Sequence, residues 1–255
     1  MNKFRKKIIA GNWKMNKMVA DAEDLANGIK DEIGNSREVD VVLCPPFTLL
    51  KTVGEIISKD SLIKLGAQDM HWENNGAYTG EISASMLRGL FCHYVIIGHS
   101  ERRKYFHETD EIVNRKIKSA IAGNLIPIVC IGETLEQRKA EKTKEVIKKQ
   151  ITTSLADLGD DLKHLVVAYE PIWAIGTGLT ATPEQAQEVH VFIRVILADI
   201  AGQDVAESVR IQYGGSMKPA NAAELLAQPD VDGGLIGGAA LDLRSFVKIV
   251  HAAMQ

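Results

Sequence analysis

An eightfold alternation of short strand and amphipathic helix limits what this chain can fold into more than any other feature. Apolar, largely β-branched runs stand at Ile8–Trp13, Val39–Leu43, Ile63–Gly66, Tyr94–Ile97, Ile126–Ile131, Leu165–Tyr169, Val209–Tyr213 and Gly234–Gly237. Pro or Gly bounds them, and they do not alternate between polar and apolar positions, which is the pattern of parallel strands buried on both faces. Helical stretches lie between them. Asp110–Ala122 sets Ile112, Val113, Ile117, Ala120 and Ile121 on one face; Thr134–Leu158 is rich in Lys and Glu; Pro183–Ile200 is a third. Eight strand–helix units in roughly 250 residues predict an α/β fold, a closed (β/α)8 barrel rather than an open doubly wound sheet. No proline-rich linker, charge block or low-complexity stretch divides the 255 residues, so residues 1–255 are expected to form one domain.

Composition excludes several classes of partner. The chain is 45% hydrophobic and 25% charged, with a net charge of −3, so neither nucleic acid nor an anionic membrane is an expected partner. The basic run Met1 to Lys7 is followed only by Ile8-Ile9-Ala10, too short for a signal peptide. Nothing approaches the ~18 apolar residues of a membrane span, and a cytoplasmic location is expected. Cys44, Cys92 and Cys130 make an odd count with no CxxC or Cys/His metal spacing. They read as reduced, buried thiols, and no metal site is expected. A nucleophilic Cys130 would lack a positioned partner.

In such barrels the chemistry lies at the C-terminal ends of the strands and the opposite face serves stability. The sixth strand delivers Glu170 to its end, where Pro171 stops it and a loop of small and apolar residues runs to Gly176 and Gly178. Thr182-Pro183-Glu184-Gln185 then starts a helix with an N-cap, a proline at the first helical position and a capping box. A strand-end carboxylate beside such a loop fits either a base under a lid or an ordinary surface Glu at a strand–helix turn. The first strand ends in Asn12-Trp13-Lys14, where an amide and an ammonium two residues apart face the same side of an extended chain. Lys14 reads as a solvated lysine, as a cation for an anionic substrate or developing oxyanion, or as a Schiff-base lysine. His99, at a glycine break where a helical turn can begin, is either structural or a neutral imidazole favoured by the helix N-terminus. Glu101 is within reach of Lys14 or an Arg.

Paired glycines close the seventh and eighth strands, Gly214-Gly215 before Ser216 and Gly237-Gly238. Glycines let backbone N–H groups approach a ligand closely, and these two strand ends commonly hold phosphate in such barrels. The third connection, from Gln68 to Gly80 with a helix expected to begin near Glu81, exceeds a dozen residues and carries Trp72 and Tyr78, against the ~2–6 residues of an ordinary βα loop. Its plainest reading is a loop that packs onto something outside its own barrel.

The chain resembles the triosephosphate isomerase family from end to end, and with it the TIM-barrel architecture. The resemblance rests on Gly11-Asn12-Trp13-Lys14-Met15-Asn16, Gly66-Ala67-Gln68 with the loop to Glu81-Ile82-Ser83, and Val95 to Arg103. It continues through Cys130-Ile131-Gly132-Glu133-Thr134, Tyr169 to Gly178, Tyr213-Gly214-Gly215-Ser216 and Gly237-Gly238-Ala239. It implies a catalytic set of Asn12, Lys14, His99 and Glu170 with Glu101 in support, and a lid from Pro171 to Thr177. It further implies phosphate contacts from the backbone N–H groups of Gly176, Ser216, Gly237 and Gly238, triose phosphates as substrates, and no cofactor. A homodimer through the Gln68–Gly80 loop is also implied, each loop docking beside Asn12, Lys14 and Met15 of the partner subunit. Three positions depart from common family choices: Leu179 and Asp242 stand where Lys is usual, and Ala240 where Ser is. They leave the catalytic set intact and bear on phosphate affinity. Two rivals differ in their requirements. A barrel that only binds sugar phosphates would keep the glycines but lose Glu170 or His99; a Schiff-base aldolase would want Lys where Glu170 stands.

Overall fold

The computed structural model describes residues 5–58, 61–176 and 178–255. Thr177, the last residue of the expected lid, and the first four residues of the basic N-terminal run lie outside them. Eight strands close in sequence order into a barrel: β1 (Ile8–Asn12), β2 (Asp40–Cys44), β3 (Lys64–Ala67), β4 (Tyr94–Ile97), β5 (Ile126–Ile131), β6 (Val166–Tyr169), β7 (Arg210–Tyr213) and β8 (Gly233–Ile236). Every pairing is parallel, and closure is made by β1 against β8, Ile8 opposite Gly233 through Gly11 opposite Ile236.

Burial on both faces explains why the strands show no polar–apolar alternation. Within one strand, Ile8 and Ala10 point into a core inside the barrel with Val42, Ile96, Ile128 and Val166. Ile9, with Val41, Leu43 and Val95, joins the larger core between strands and helices. Each such aliphatic side chain contributes roughly 1.5–3 kcal/mol on burial. A polar plug closes the N-terminal end, where Asp40 accepts from Arg210 at 2.6 Å and pairs with Lys6 at 2.5 Å.

β4, β5 and the helix Asp110–Ala122 coincide with their expected bounds. Other expectations need correction. β1 stops at Asn12 rather than Trp13, although the Trp13 N–H still reaches the Cys44 carbonyl at 3.1 Å. The third connection enters its helix at Ala84, not near Glu81, because Ser83 is the residue that caps it. Thr134–Leu158 is not one helix. Thr134 caps a short helix Leu135–Lys139, Glu141 turns left-handed at φ 57°, and a second helix runs Thr143–Ser154. The helix Pro183–Ala201 starts as expected: Gln185 N–H donates to Thr182 Oγ1 at 3.2 Å and Thr182 N–H to Gln185 Oε1 at 3.0 Å. All three cysteines are buried free thiols. Among the described residues no helix is long and apolar enough to cross a membrane.

Candidate active site

At the C-terminal ends of the strands lies a cavity of about 660 Å³ whose lining includes Asn12, Lys14, His99, Glu101, Glu170, Gly176, Ser216, Gly237 and Gly238. The nine candidates come from β1, β4, β6, β7, β8 and the lid loop, so barrel closure alone brings them together.

Glu170 follows the last residue of β6, and its backbone N–H extends the ladder to the Ile131 carbonyl at 2.7 Å. Its side chain is only 2% exposed. Oε1 lies 2.8 Å from His99 Nε2, and Oε2 accepts the Ser100 N–H at 2.9 Å. Burial opposes the charge, but His99, the Ser100 N–H and Lys14 outweigh it and hold the carboxyl below its ordinary range. Both carboxylate oxygens are engaged, so accepting a proton from a ligand in the cavity requires one of them to leave its partner. Gly214 leaves the room, since a β-carbon there would sit 2.9 Å from Glu170 Cγ.

His99 caps the helix Ser100–Tyr105, and its Nδ1 accepts the Glu101 N–H at 3.2 Å. An accepting Nδ1 carries no proton, so Nε2 is the protonated nitrogen and the ring is neutral. Burial lowers its affinity for a second proton; the facing Glu170 carboxylate raises it, and the net displacement is upward. The two observations pull in opposite directions. The Nδ1 contact decides the tautomer, and the upward displacement belongs to the Glu170 contact, which a turned carboxylate would remove.

Lys14 is placed differently from the sequence reading. It does not continue an extended strand: its φ is 52°, in the left-handed region, and its N–H folds back onto Asn12 Oδ1 at 3.0 Å. The amide and the ammonium still face one cavity, through a tight turn. Gln68 Nε2 secures that turn by donating to the Lys14 carbonyl at 2.8 Å. Glu101 resolves its open choice in favour of Lys14, Oε1 to Nζ 2.5 Å.

Opposite Glu170, the glycine rim supplies N–H groups without side chains in the way. Gly238 has open space where a β-carbon would go, and one at Gly237 would meet the end of the Lys14 side chain, 3.5 Å from Cε and 4.0 Å from Nζ. Ser216 N–H donates to the carbonyl of Ala174 in the lid at 3.0 Å. Asp242 is an N-cap, accepting the Ser245 N–H at 2.9 Å at the head of the helix Leu243–Ala253.

Sequence reasoning missed what holds the start of the loop that follows β6. Glu133, fully buried just past β5, accepts from Tyr169 Oη at 3.1 Å, Trp173 Nε1 at 3.0 Å and Arg138 Nη1 at 3.2 Å. Its carbonyl takes the Ile172 N–H at 3.1 Å. The one sequence signal was an acidic residue at a strand end with no assigned partner.

Fold and cavity together define an enzyme of the (β/α)8 class, with a buried carboxylate and the glycines after β7 and β8 lining one cavity. Comparison with known proteins narrows this. A family profile described as triosephosphate isomerase matches residues 7–253. Triosephosphate isomerase of Chloroherpeton thalassium is 55% identical over 252 residues, covering 98% of this chain and all of that one. That of Alkaliphilus oremlandii is 55% identical over 249 residues, 97% of this chain and all of the other. That of Rhodopirellula baltica is 51% identical over 250 residues, 98% of each. The chain belongs to the triosephosphate isomerase family.

Proposed function

We propose that Glu170 is the base with which this chain interconverts dihydroxyacetone phosphate and D-glyceraldehyde 3-phosphate through an enediolate. Glu170 takes the carbon-bound proton beside the carbonyl and returns it to the neighbouring carbon. The His99 Nε2–H, the Lys14 ammonium and the Asn12 amide face the oxygens on which charge develops. Backbone N–H groups of Gly176, Ser216, Gly237 and Gly238 hold the phosphate, and the lid excludes water and opposes loss of phosphate from the enediolate. This scheme is the standard account of the family; the observation that carries it here is the buried Glu170 carboxylate against His99 Nε2 at 2.8 Å. It calls for no metal or organic cofactor. A coupled isomerase assay in chelator, run in both directions, is expected to show full turnover. No turnover by the intact protein would overturn the reading, and borohydride trapping of substrate on Lys14 would favour a Schiff-base aldolase.

The same reading extends to the whole chain as one catalytic domain, cytoplasmic, serving glycolysis and gluconeogenesis as a homodimer. The third connection supports the dimer. Residues 73–80 are exposed, and His71 stacks on Trp72 at 4.1 Å and leans on Tyr78 at 4.3 Å. Trp72 itself finds a place on its own barrel, beneath the Arg115 guanidinium at 4.0 Å, so the unpartnered part of the loop is its tip. A recess of about 330 Å³ lies beside Met15, Met18 and Pro46, with Met15 95% exposed. A two-fold contact in which each tip fills the other's recess closes at two.

A further inference from the structure

The proposed substrate carries a phosphate dianion, so the charges lining the cavity matter as much as its donors. Among the described residues they are two lysines and two glutamates, Lys14, Lys218, Glu101 and Glu170. With His99 neutral, the lining sums to zero. Lys14 is already engaged by Glu101 at 2.5 Å. Without Lys218 the lining would carry a net negative charge and repel the ligand it has to admit.

Lys218 is free to act. It makes no ion pair among the described residues, and it is exposed. It stands two residues past Ser216, and its place at the rim is fixed by its backbone. Lys218 N–H donates to Asn221 Oδ1 at 2.7 Å, Asn221 Nδ2 donates to the Ser216 carbonyl at 3.1 Å, and Ala222 N–H closes the turn onto the Lys218 carbonyl at 3.0 Å. One asparagine thus ties the amide turn that faces the phosphate to the residue bearing the charge. The backbone N–H groups act only at contact; an unpaired ammonium at the mouth acts over a screening length.

We propose that Lys218 is a specificity-determining residue that recruits the phosphate dianion to the cavity, an inference that rests on the triose phosphate reading above. It draws phosphorylated substrates toward the amide rim and gives no such advantage to neutral trioses.

The test uses the full-length protein and the variants Lys218→Met and Lys218→Arg. Kinetics with glyceraldehyde 3-phosphate are measured from about 0.01 M to about 1 M ionic strength, over which the screening length falls from about 30 Å to about 3 Å. At low salt K218M is expected to lose about three- to tenfold in kcat/KM, mostly in KM, with the gap closing as salt rises. K218R should restore the parent behaviour, and inorganic phosphate should inhibit K218M more weakly by a similar factor. Bare glyceraldehyde should not distinguish K218M from the parent. An unchanged KM, phosphate inhibition constant and salt slope in K218M would overturn the proposal. Calorimetric titration with inorganic phosphate separates the two readings: a parent protein that binds phosphate through Lys218 yet fails to isomerise would sink the reaction and leave the recruitment standing.

Discussion

Gln68 holds Lys14 in a backbone conformation that lysine does not choose. Its Nε2 donates to the Lys14 carbonyl at 2.8 Å and to the Cys44 carbonyl at 2.9 Å, so the turn is pinned to the end of β2. A left-handed non-glycine residue costs on the order of 1–3 kcal/mol and persists only where its surroundings over-determine it. Gln68→Met keeps the size and removes the donor. It is expected to lower kcat about 10- to 100-fold as the ammonium drifts from its place, while circular dichroism shows the parent fold. Parent-like kcat in Q68M would mean that the brace is not needed for turnover.

Glu170→Gln keeps the shape and removes the base. Its kcat should fall by about 10²–10⁴-fold, the usual worth of a positioned general base. Glu170→Asp, which withdraws the carboxylate by about 1 Å, should still cost on the order of 10²-fold. Steady-state rates with dihydroxyacetone phosphate check both, and near-normal turnover in E170Q would remove Glu170 from the mechanism.

Glu133 anchors the first hinge of the lid through three side-chain donors. Glu133→Gln leaves one acceptor oxygen and no charge. Losing charge-assisted bonds at a buried site is expected to cost about 1.5–3 kcal/mol of stability. Trp173 belongs to the loop proposed as the lid, so on that reading kcat should also fall, by about tenfold on the same scale of one to two lost bonds. Urea unfolding and steady-state kinetics on one preparation test the pairing; a stability loss with kcat unchanged would separate the hinge from turnover.

His190 predicts a step in acid stability. Burial in the helix Pro183–Ala201 lowers its pKa to about 4, and Nδ1 faces the Asp230 carbonyl at 3.0 Å. The folded protein therefore holds the ring neutral while an unfolded chain would protonate it near its ordinary pKa of about 6.5. Its contribution is complete above about pH 6.5 and is lost as pH falls to about 4, on the order of 3 kcal/mol in all. His190→Gln should flatten the urea midpoint across that window relative to the parent. An equally steep decline in H190Q would place the acid step elsewhere.

Trimming the third connection from Trp72 through Thr79 should give a folded, much less active monomer. Sedimentation of the intact protein at micromolar concentration is expected to show one species of twice the chain mass. A fully active monomer would overturn both the interface and the link between assembly and turnover.

The barrel was legible because its strands are buried on both faces, which is a property of each short run by itself. The bounds of β4 and β5 and the capping of Pro183–Ala201 are local in the same sense. What escaped depends on partners far along the chain. Lys116 looks like a solvent-facing residue of an amphipathic helix, yet it is buried between Asp69 at 2.7 Å and Glu108 at 2.5 Å. The left-handed turn at Lys14 is invisible without Gln68. The break at Glu141 hides because Lys and Glu suit both helices and the turn between them. At the site, the residues themselves give strand ends and glycines. Family resemblance supplied the roles, and closure of the barrel brings the nine positions into one cavity.

The bond from Ser216 N–H to the Ala174 carbonyl has a consequence for how a ligand leaves. While it holds, the amide assigned to the phosphate is taken by the lid. A phosphate must therefore displace a tethered carbonyl whose effective concentration is set by a few residues of chain. On departure the same carbonyl is at hand to reclaim the donor, so the amide need not pass through a stage without a partner. On the phosphate reading proposed above, the Ala174 carbonyl acts as an intramolecular competitor for the Ser216 N–H, which weakens the hold on a bound phosphate and favours its release.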